Sequence, residues 1–262
     1  MTYLFTALDA EARPLIEHYR LKRCYDLPYT LYTGENIFLC VSGIGPENAM
    51  MAVSAVLGYR IPQTHDTMIN IGICAAPATY PVGTGIIIHQ IQTPRQTYYP
   101  DILFSHPFCE SSIVCSDQAA DSAHPYPLDM ESSGVFRAAS RFFKLHRIVM
   151  FKIVSDHFHP DQVTKEGVID LVSHHCASID FLIEALESVP DSPKLFDLEE
   201  SRRIERLKEF FTVSQGIKFD EAFCYFRLKH PQKPLPFFDD TLPHSKRERS
   251  LAYERLIATL TA

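Results

Sequence analysis

The chain has 262 residues, 46% hydrophobic and 22% charged, a composition that can bury a full globular core. Its net charge of −7, from 25 basic against 32 acidic residues with no basic run, argues against a grip on nucleic-acid phosphates or anionic membranes and for a small-molecule ligand. No segment reaches the roughly 18–20 consecutive apolar residues that a membrane span needs.

The first residues, Met1 to Asp9, carry no basic n-region and meet an acid too early for a signal peptide. The seven cysteines (Cys24, Cys40, Cys74, Cys109, Cys115, Cys176 and Cys224) are scattered and include no C-x-x-C pair. They are expected mostly as small core residues in a reducing cytoplasm, not as a disulfide framework or zinc site. His157, His159 and the pair His174-His175 lack a Cys or carboxylate at ligand spacing, so no metal is expected.

Tyr3–Leu8 reads as a short buried strand, followed by a helical stretch over Ala12–Tyr19. Pro14 fits only that helix's first turn, which puts the junction near Asp9–Arg13. Thr30–Thr33 and Ile37–Ser42 flank Gly34-Glu35-Asn36 as a hairpin. Gly43-Ile44-Gly45 leads into a helix that has Pro46 near its N-terminus and runs through Leu57. Met68–Ile73, Gly85–Ile91 and Ile113–Cys115 are apolar strands. Glu131–Leu145 carries Val135, Phe136, Ala139, Phe142 and Phe143 on one helical stripe. Arg147–Val154 is a further strand, and Val163–Leu186 a long helical pattern.

This alternation predicts an α/β domain over residues 1–189, a three-layer α/β/α sandwich with a mixed, twisted sheet. The character changes at Pro190-Asp191-Ser192-Pro193. Beyond it lie three helix candidates, Leu198–Thr212, Phe219–Lys229 and Lys246–Leu260. Residues 190–262 are therefore expected as a helical C-terminal appendage, since about 70 residues make a marginal independent core.

Three acids fall where an open α/β sheet forms its ligand crevice. Glu11 follows the first strand, Glu131 opens a helix, and Asp156 ends a strand. Cleavage of a nucleoside's N-glycosidic bond asks for such a set: a base for water, a group to hold the ribose as it gains positive charge, and an acid for the leaving base.

The words around these acids are more specific. Ala7-Leu8-Asp9-Ala10-Glu11 resembles the Ala-Met-x-x-Glu turn of the methylthioadenosine/S-adenosylhomocysteine nucleosidases, in the nucleoside phosphorylase superfamily. Ser42-Gly43-Ile44-Gly45-Pro46-Glu47-Asn48-Ala49 is similar to their Ser-Gly-Ile-Gly-x-x-Asn-Ala segment, and Asn70-Ile71-Gly72 to their Asn-x-Gly strand end. Asp129-Met130-Glu131-Ser132 resembles their x-Met-Glu-x helix start, and Ile153-Val154-Ser155-Asp156 their Ile-Ser-Asp strand end. The five segments keep family order over residues 5–185. Cys74-Ala75-Ala76-Pro77 departs from the small Ala-Gly-Gly run. Lys152 stands where an Arg is usual, and Cys115 to Ala120 lacks the aromatic that stacks on the base.

The resemblance implies a hydrolase of a purine nucleoside, acting as a homodimer without cofactor or metal. Glu11 would activate water. Ser42 and Gly43 would lie beside the ribose, with Gly72 at the strand end below it. Met130 would pack against the sugar, Glu131 would bind its 2′-hydroxyl, and Asp156 would protonate the purine with help from Ser155. The related phosphorylases carry a Gly-Asp-Pro-x-Arg turn that grips phosphate. Here the turn reads Asp9-Ala10-Glu11-Ala12-Arg13, with a carboxylate that repels an anion, so phosphorolysis ranks below hydrolysis. Binding of a nucleoside without turnover is the other alternative.

Overall fold

The computed structural model describes residues 1–118, 122–189, 195–236 and 245–261. They belong to two compact units, Met1–Val189 and Pro190–Ala262. The Pro190–Pro193 segment, where the sequence changes character, lies outside the described residues.

The first unit is built around β5 (Thr67–Ala75), a nine-residue strand without a charged side chain. Along one edge it pairs in parallel with β10 (Ile148–Asp156). Along the other it pairs in parallel with β1 (Thr2–Thr6) as far as Asn70, and then antiparallel with β9 (Leu128–Asp129) at Ala75. β10 continues antiparallel to β6 (Gly85–Gln92), and β6 parallel to β8 (Cys109–Cys115), which meets β9. Strands β5, β10, β6, β8 and β9 therefore close into a ring. A wing of β1, β4 (Ile37–Val41), β3 (Thr30–Thr33) and β2 (Lys22–Cys24) extends from it. The short β7 (Thr97–Tyr98) pairs with β6.

Alternation along the strands assigns two cores. Tyr3, Phe5, Met68, Ile148 and Met150 face α2 (Pro46–Tyr59) and α3 (Ser132–Ala139). Leu4, Ile69, Ile71, Val149, Phe151 and Ile153 face α1 (Asp9–His18), α4 (Lys165–His174) and α5 (Cys176–Ser188). The result is a three-layer α/β/α architecture around a mixed sheet, set by the period-2 reversal of side chains in strands. α2 and α3 meet at Gly134, where an added Cβ would lie 1.9 Å from the Pro46 carbonyl oxygen. Only glycine permits that approach.

Several elements differ from the sequence reading. α1 begins at Asp9, so Pro14 sits inside the helix and not in its first turn. Its ring is tolerated because the residue is buried on the packed face, which outweighs the lost amide donor. The stripe over Glu131–Leu145 is helical only over Ser132–Ala139, and Phe142 lies beyond it, partly exposed. The pattern over Val163–Leu186 divides at His175 into α4 and α5. The His175 ring reaches back to the Gly83 carbonyl at 2.8 Å, fixing the break. β8 starts four residues before Ile113. All seven cysteines are free, but only Cys40, Cys74 and Cys115 are fully buried.

The second unit contains α6 (Leu198–Lys208), α7 (Val213–Lys229) and α8 (Lys246–Thr261). Asp197 and Thr212 cap α6 and α7, each in a reciprocal box with Glu200 or Gln215. The Thr212 cap starts α7 six residues before Phe219. Ile204, Leu207, Phe219, Phe223, Leu256 and Leu260 form the unit's own core. No described helix is long and apolar enough to cross a membrane.

Candidate active site

A cavity of about 320 Å³ opens at the carboxyl ends of β1, β5 and β10. Its lining includes Glu11, Met130, Glu131, Ser155 and Asp156, five of the eight residues singled out in the sequence. Leu8, Ile44, Cys74, Leu128 and Val163 supply apolar wall. Ser42, Gly43 and Gly72 are not on the lining; they shape it from behind.

Glu11, the third residue of α1, turns back over the end of β1. Its Oε2 accepts hydrogen bonds from the amides of Ala7 at 2.8 Å and Leu8 at 2.9 Å, and its Oε1 accepts one from Ile73 at 2.9 Å. A carboxylate oxygen has two lone pairs in the plane. Oε2 is thus saturated, and the one remaining acceptor direction belongs to Oε1. Burial pushes the carboxyl above the ordinary glutamate range, outweighing the three amide donors and the Lys152 charge. Gly72 makes this placement possible: a Cβ there would lie 3.1 Å from Glu11 Oε1 and 3.4 Å from Lys152 Nζ. Asn70, two residues earlier, donates its side-chain amide to the Phe5 carbonyl at 3.0 Å and ties β5 to β1.

Glu131 is held from the turn after β4. Gly43 and Gly45 have φ of +82° and +98°, conformations that side chains with a Cβ rarely adopt. The turn they form aims the Gly45 amide at Glu131 Oε1, 2.9 Å away. Ser42 Oγ donates to the Thr6 carbonyl at 3.2 Å, stitching the turn to the end of β1. Burial, with the Asp129 charge beside it, pushes Glu131 up to about 7, against the opposing pull of Lys152 and the Gly45 amide.

Asp156 ends β10. Its Oδ1 accepts from Ser155 Oγ at 2.6 Å and its Oδ2 from the His159 amide at 2.8 Å. Ser155 Oγ also lies 3.2 Å from the Cys74 carbonyl, which fixes the hydroxyl between β5 and Asp156.

Asp129, which also lines the cavity, belongs to a buried pair to which the sequence reading gave no role. Lys152 Nζ sits 2.8 Å from Asp129 Oδ2, and both side chains are almost wholly buried. Asp129 Oδ2 also accepts from the Ser132 amide at 3.0 Å and Ser132 Oγ at 2.5 Å, while its Oδ1 is buried without a partner among the described residues. Burial pulls the Lys152 ammonium down, but the charges of Asp129 and Glu131 outweigh it and hold it above the usual lysine range. One signal was present in the sequence: a lysine inside the apolar run Ile148–Val154 has no route to water and needs a partner. Ala119 and Ala120, where the base-stacking aromatic is missing, include no described residue. Among the described residues no group of three or more His, Cys, Asp or Glu is placed to hold a metal ion.

No family model matches the chain, and no curated protein matches it significantly in sequence. Solved structures do match it in fold. One is the apo form of 5′-methylthioadenosine nucleosidase from Arabidopsis thaliana, at TM-score 0.60 and 18% identity, covering 72% of this chain and 96% of that one. Another is 5′-methylthioadenosine/S-adenosylhomocysteine nucleosidase from S. pneumoniae with a transition-state inhibitor, at TM-score 0.58 and 18% identity, covering 72% and 99%. A third is futalosine hydrolase of Helicobacter pylori, at TM-score 0.60 and 11% identity, covering 70% and 97%. The chain shares its fold with these nucleosidases and with futalosine hydrolase.

Proposed function

We propose that the protein is an N-ribosyl hydrolase that cleaves a purine nucleoside of the methylthioadenosine or S-adenosylhomocysteine kind into free base and a ribose derivative. The observation that carries this reading is the convergence of Glu11, Glu131 and Asp156 on one cavity, each on a different structural support. Binding a nucleoside needs one carboxylate at most; three in these environments suit proton transfer at both ends of the scissile bond.

In this reading the open lone pair of Glu11 Oε1 takes a proton from water as the oxygen attacks C1′. Glu131 accepts from the 2′-hydroxyl and balances the charge that develops on the ribose. The electron pair of the C1′–N9 bond leaves with the purine, and Asp156 gives its proton to N7, with Ser155 orienting the carboxyl. Met130 packs beneath the sugar. The sum is addition of one water across the glycosidic bond.

Water rather than phosphate is the favoured nucleophile because the amides of Ala7, Leu8 and Ile73 already hold an anion, the Glu11 carboxylate. Phosphate beside it meets a like charge, at a cost of about 1–4 kcal/mol in a partly solvated site. A cytoplasmic homodimer working without metal or organic cofactor belongs to the same proposal.

The test is base release from methylthioadenosine, S-adenosylhomocysteine, adenosine, inosine and futalosine, with and without phosphate. Free ribose product independent of phosphate is the expected result. Ribose 1-phosphate would identify a phosphorylase, and tight binding without base release would identify a binding protein; either overturns the reading.

A further inference from the structure

Among the described residues only two besides glycines have positive φ, Arg20 at +52° and Phe158 at +64°. Arg20 follows the end of α1, where a left-handed residue is an ordinary helix stop. Phe158 stops no helix. It lies two residues after Asp156, is only 5% exposed, and adopts a backbone that a bulky side chain takes only where its surroundings impose it.

The chain is clamped on both sides of this residue. Upstream, the Ala76 amide donates to the Asp156 carbonyl at 3.0 Å, and His157 Nδ1 lies 2.9 Å from the Ala76 carbonyl, so the residue after β5 holds both. Downstream, the Pro160 ring disfavours helical backbone at His159, whose φ and ψ are −124° and +70°. Phe158 is the joint between the two clamps. The His159 N–H belongs to the planar peptide unit that the torsions of Phe158 orient. That N–H donates to Asp156 Oδ2 at 2.8 Å. With Ser155 Oγ 2.6 Å from Oδ1, the carboxyl is held at both oxygens, which fixes its plane.

We propose that Phe158 is a positioning residue for the acid: its left-handed turn, kept in place by burial of the ring, delivers the His159 amide to Asp156 and sets the plane in which the carboxyl presents its proton. The inference rests on the acid role proposed for Asp156. With a negative φ at position 158 the same peptide unit faces elsewhere and Oδ2 loses its donor. The carboxyl is then hinged on Ser155 alone, free to turn about a terminal bond whose torsion is intrinsically broad.

Two substitutions separate the turn from the packing. Phe158→Gly removes the ring but takes positive φ without strain. Phe158→Val keeps apolar volume, but its branched Cβ resists that backbone. If Phe158 only filled space, the valine variant would be the more active. The positioning role gives the reverse: kcat within about fivefold of wild type for glycine and ~10–10²-fold lower for valine, with KM changed less than kcat. Base release is read at a temperature where both variants are folded. Hydrogen exchange at the His159 amide gives a second reading that needs no activity. Its protection is expected to survive in Phe158→Gly and to fall at least about tenfold in Phe158→Val and in Asp156→Ala, which lacks the acceptor. A valine variant as active as the glycine one overturns the proposal, as does a His159 amide still protected in Asp156→Ala. If only the glycine variant folds, an unprotected His159 amide in it has the same consequence. A wild-type protein that releases no base from any nucleoside removes the acid role instead, while the exchange pattern still decides whether the turn holds Asp156.

Discussion

Lys152 Nζ and Asp129 Oδ2 lie 2.8 Å apart, with each side chain 1% exposed, and Asp129 lines the cavity together with Glu11 and Glu131. Three acids, Asp129, Glu131 and Glu11, share this one ammonium, so its removal leaves their repulsion uncompensated in a medium that screens poorly. Breaking a buried pair by deleting one partner costs about 3–5 kcal/mol. Lys152→Met is expected to lose that much in urea unfolding, and Lys152→Met/Asp129→Asn to regain a substantial part. Strictly additive losses in the cycle would refute the coupling.

Glu11→Gln keeps the size of the side chain but replaces one acceptor oxygen with a donor. The amide nitrogen then faces either Ile73 N–H or the pair from Ala7 and Leu8, and the cheaper choice spoils Oε1, the atom with the open lone pair. Glu11→Gln and Asp156→Asn are each expected to cut turnover by ~10²–10⁴-fold, the range for loss of a general base or acid. Near wild-type rates would remove the assigned role. In Glu11→Ala the three amides lose their anion, and added formate is expected to restore part of the activity. Failure of formate at any concentration would mean that the amide cradle does not hold an anion by itself.

Gly72→Ala places a methyl group 3.1 Å from Glu11 Oε1 and 3.4 Å from Lys152 Nζ. The backbone there needs no positive φ, so the strand itself accepts alanine. Activity is therefore expected to fall at least about tenfold, from a displacement of the base that costs far less in stability. A Tm loss of many degrees with kcat intact would place the role of Gly72 in packing instead.

The pH dependence follows from Glu131. Its carboxyl is pushed up to about 7 by burial and the neighbouring Asp129, against about 4.3 for a free glutamate. The ionised form is the one that can balance charge on the ribose, so kcat/KM is expected to fall as pH drops through about 7. The sign for stability is opposite. A raised folded-state value means that stability is fully present below about 4.3 and is lost as pH rises through 7. Glu131→Gln keeps an oxygen for the Gly45 amide and removes the charge. It is expected to raise Tm at pH 8, to leave Tm unchanged near pH 4, and to abolish turnover. An equal Tm at pH 8 would contradict the strain assigned to this carboxylate.

The local sequence determined much of this protein. Glycines at 43 and 45 allow a turn of positive φ, Asp156 ends an apolar strand, and Glu11 follows the first strand at a helix start. Each of these is readable because turns, strand ends and helix starts are set by residues within about one turn of one another. The apolar runs Met68–Ile73 and Arg147–Val154 likewise read as buried strands. Where propensity and packing compete, the sequence misled: Pro14 lies inside α1, and the Val163–Leu186 pattern breaks at His175 because a ring-to-carbonyl bond spans 92 residues.

Tertiary structure alone decided the rest. Nothing local tells β5 to pair with β10 on one edge and with both β1 and β9 on the other, yet that choice closes the ring and brings residues 11, 131 and 156 to one cavity. The partner of Lys152 was equally hidden, since Asp129 is 23 positions away and reaches it only through the strand register. The reason is physical: periodicity reports which face of an element is buried, while pairing and charge compensation depend on which distant surfaces fill the same space.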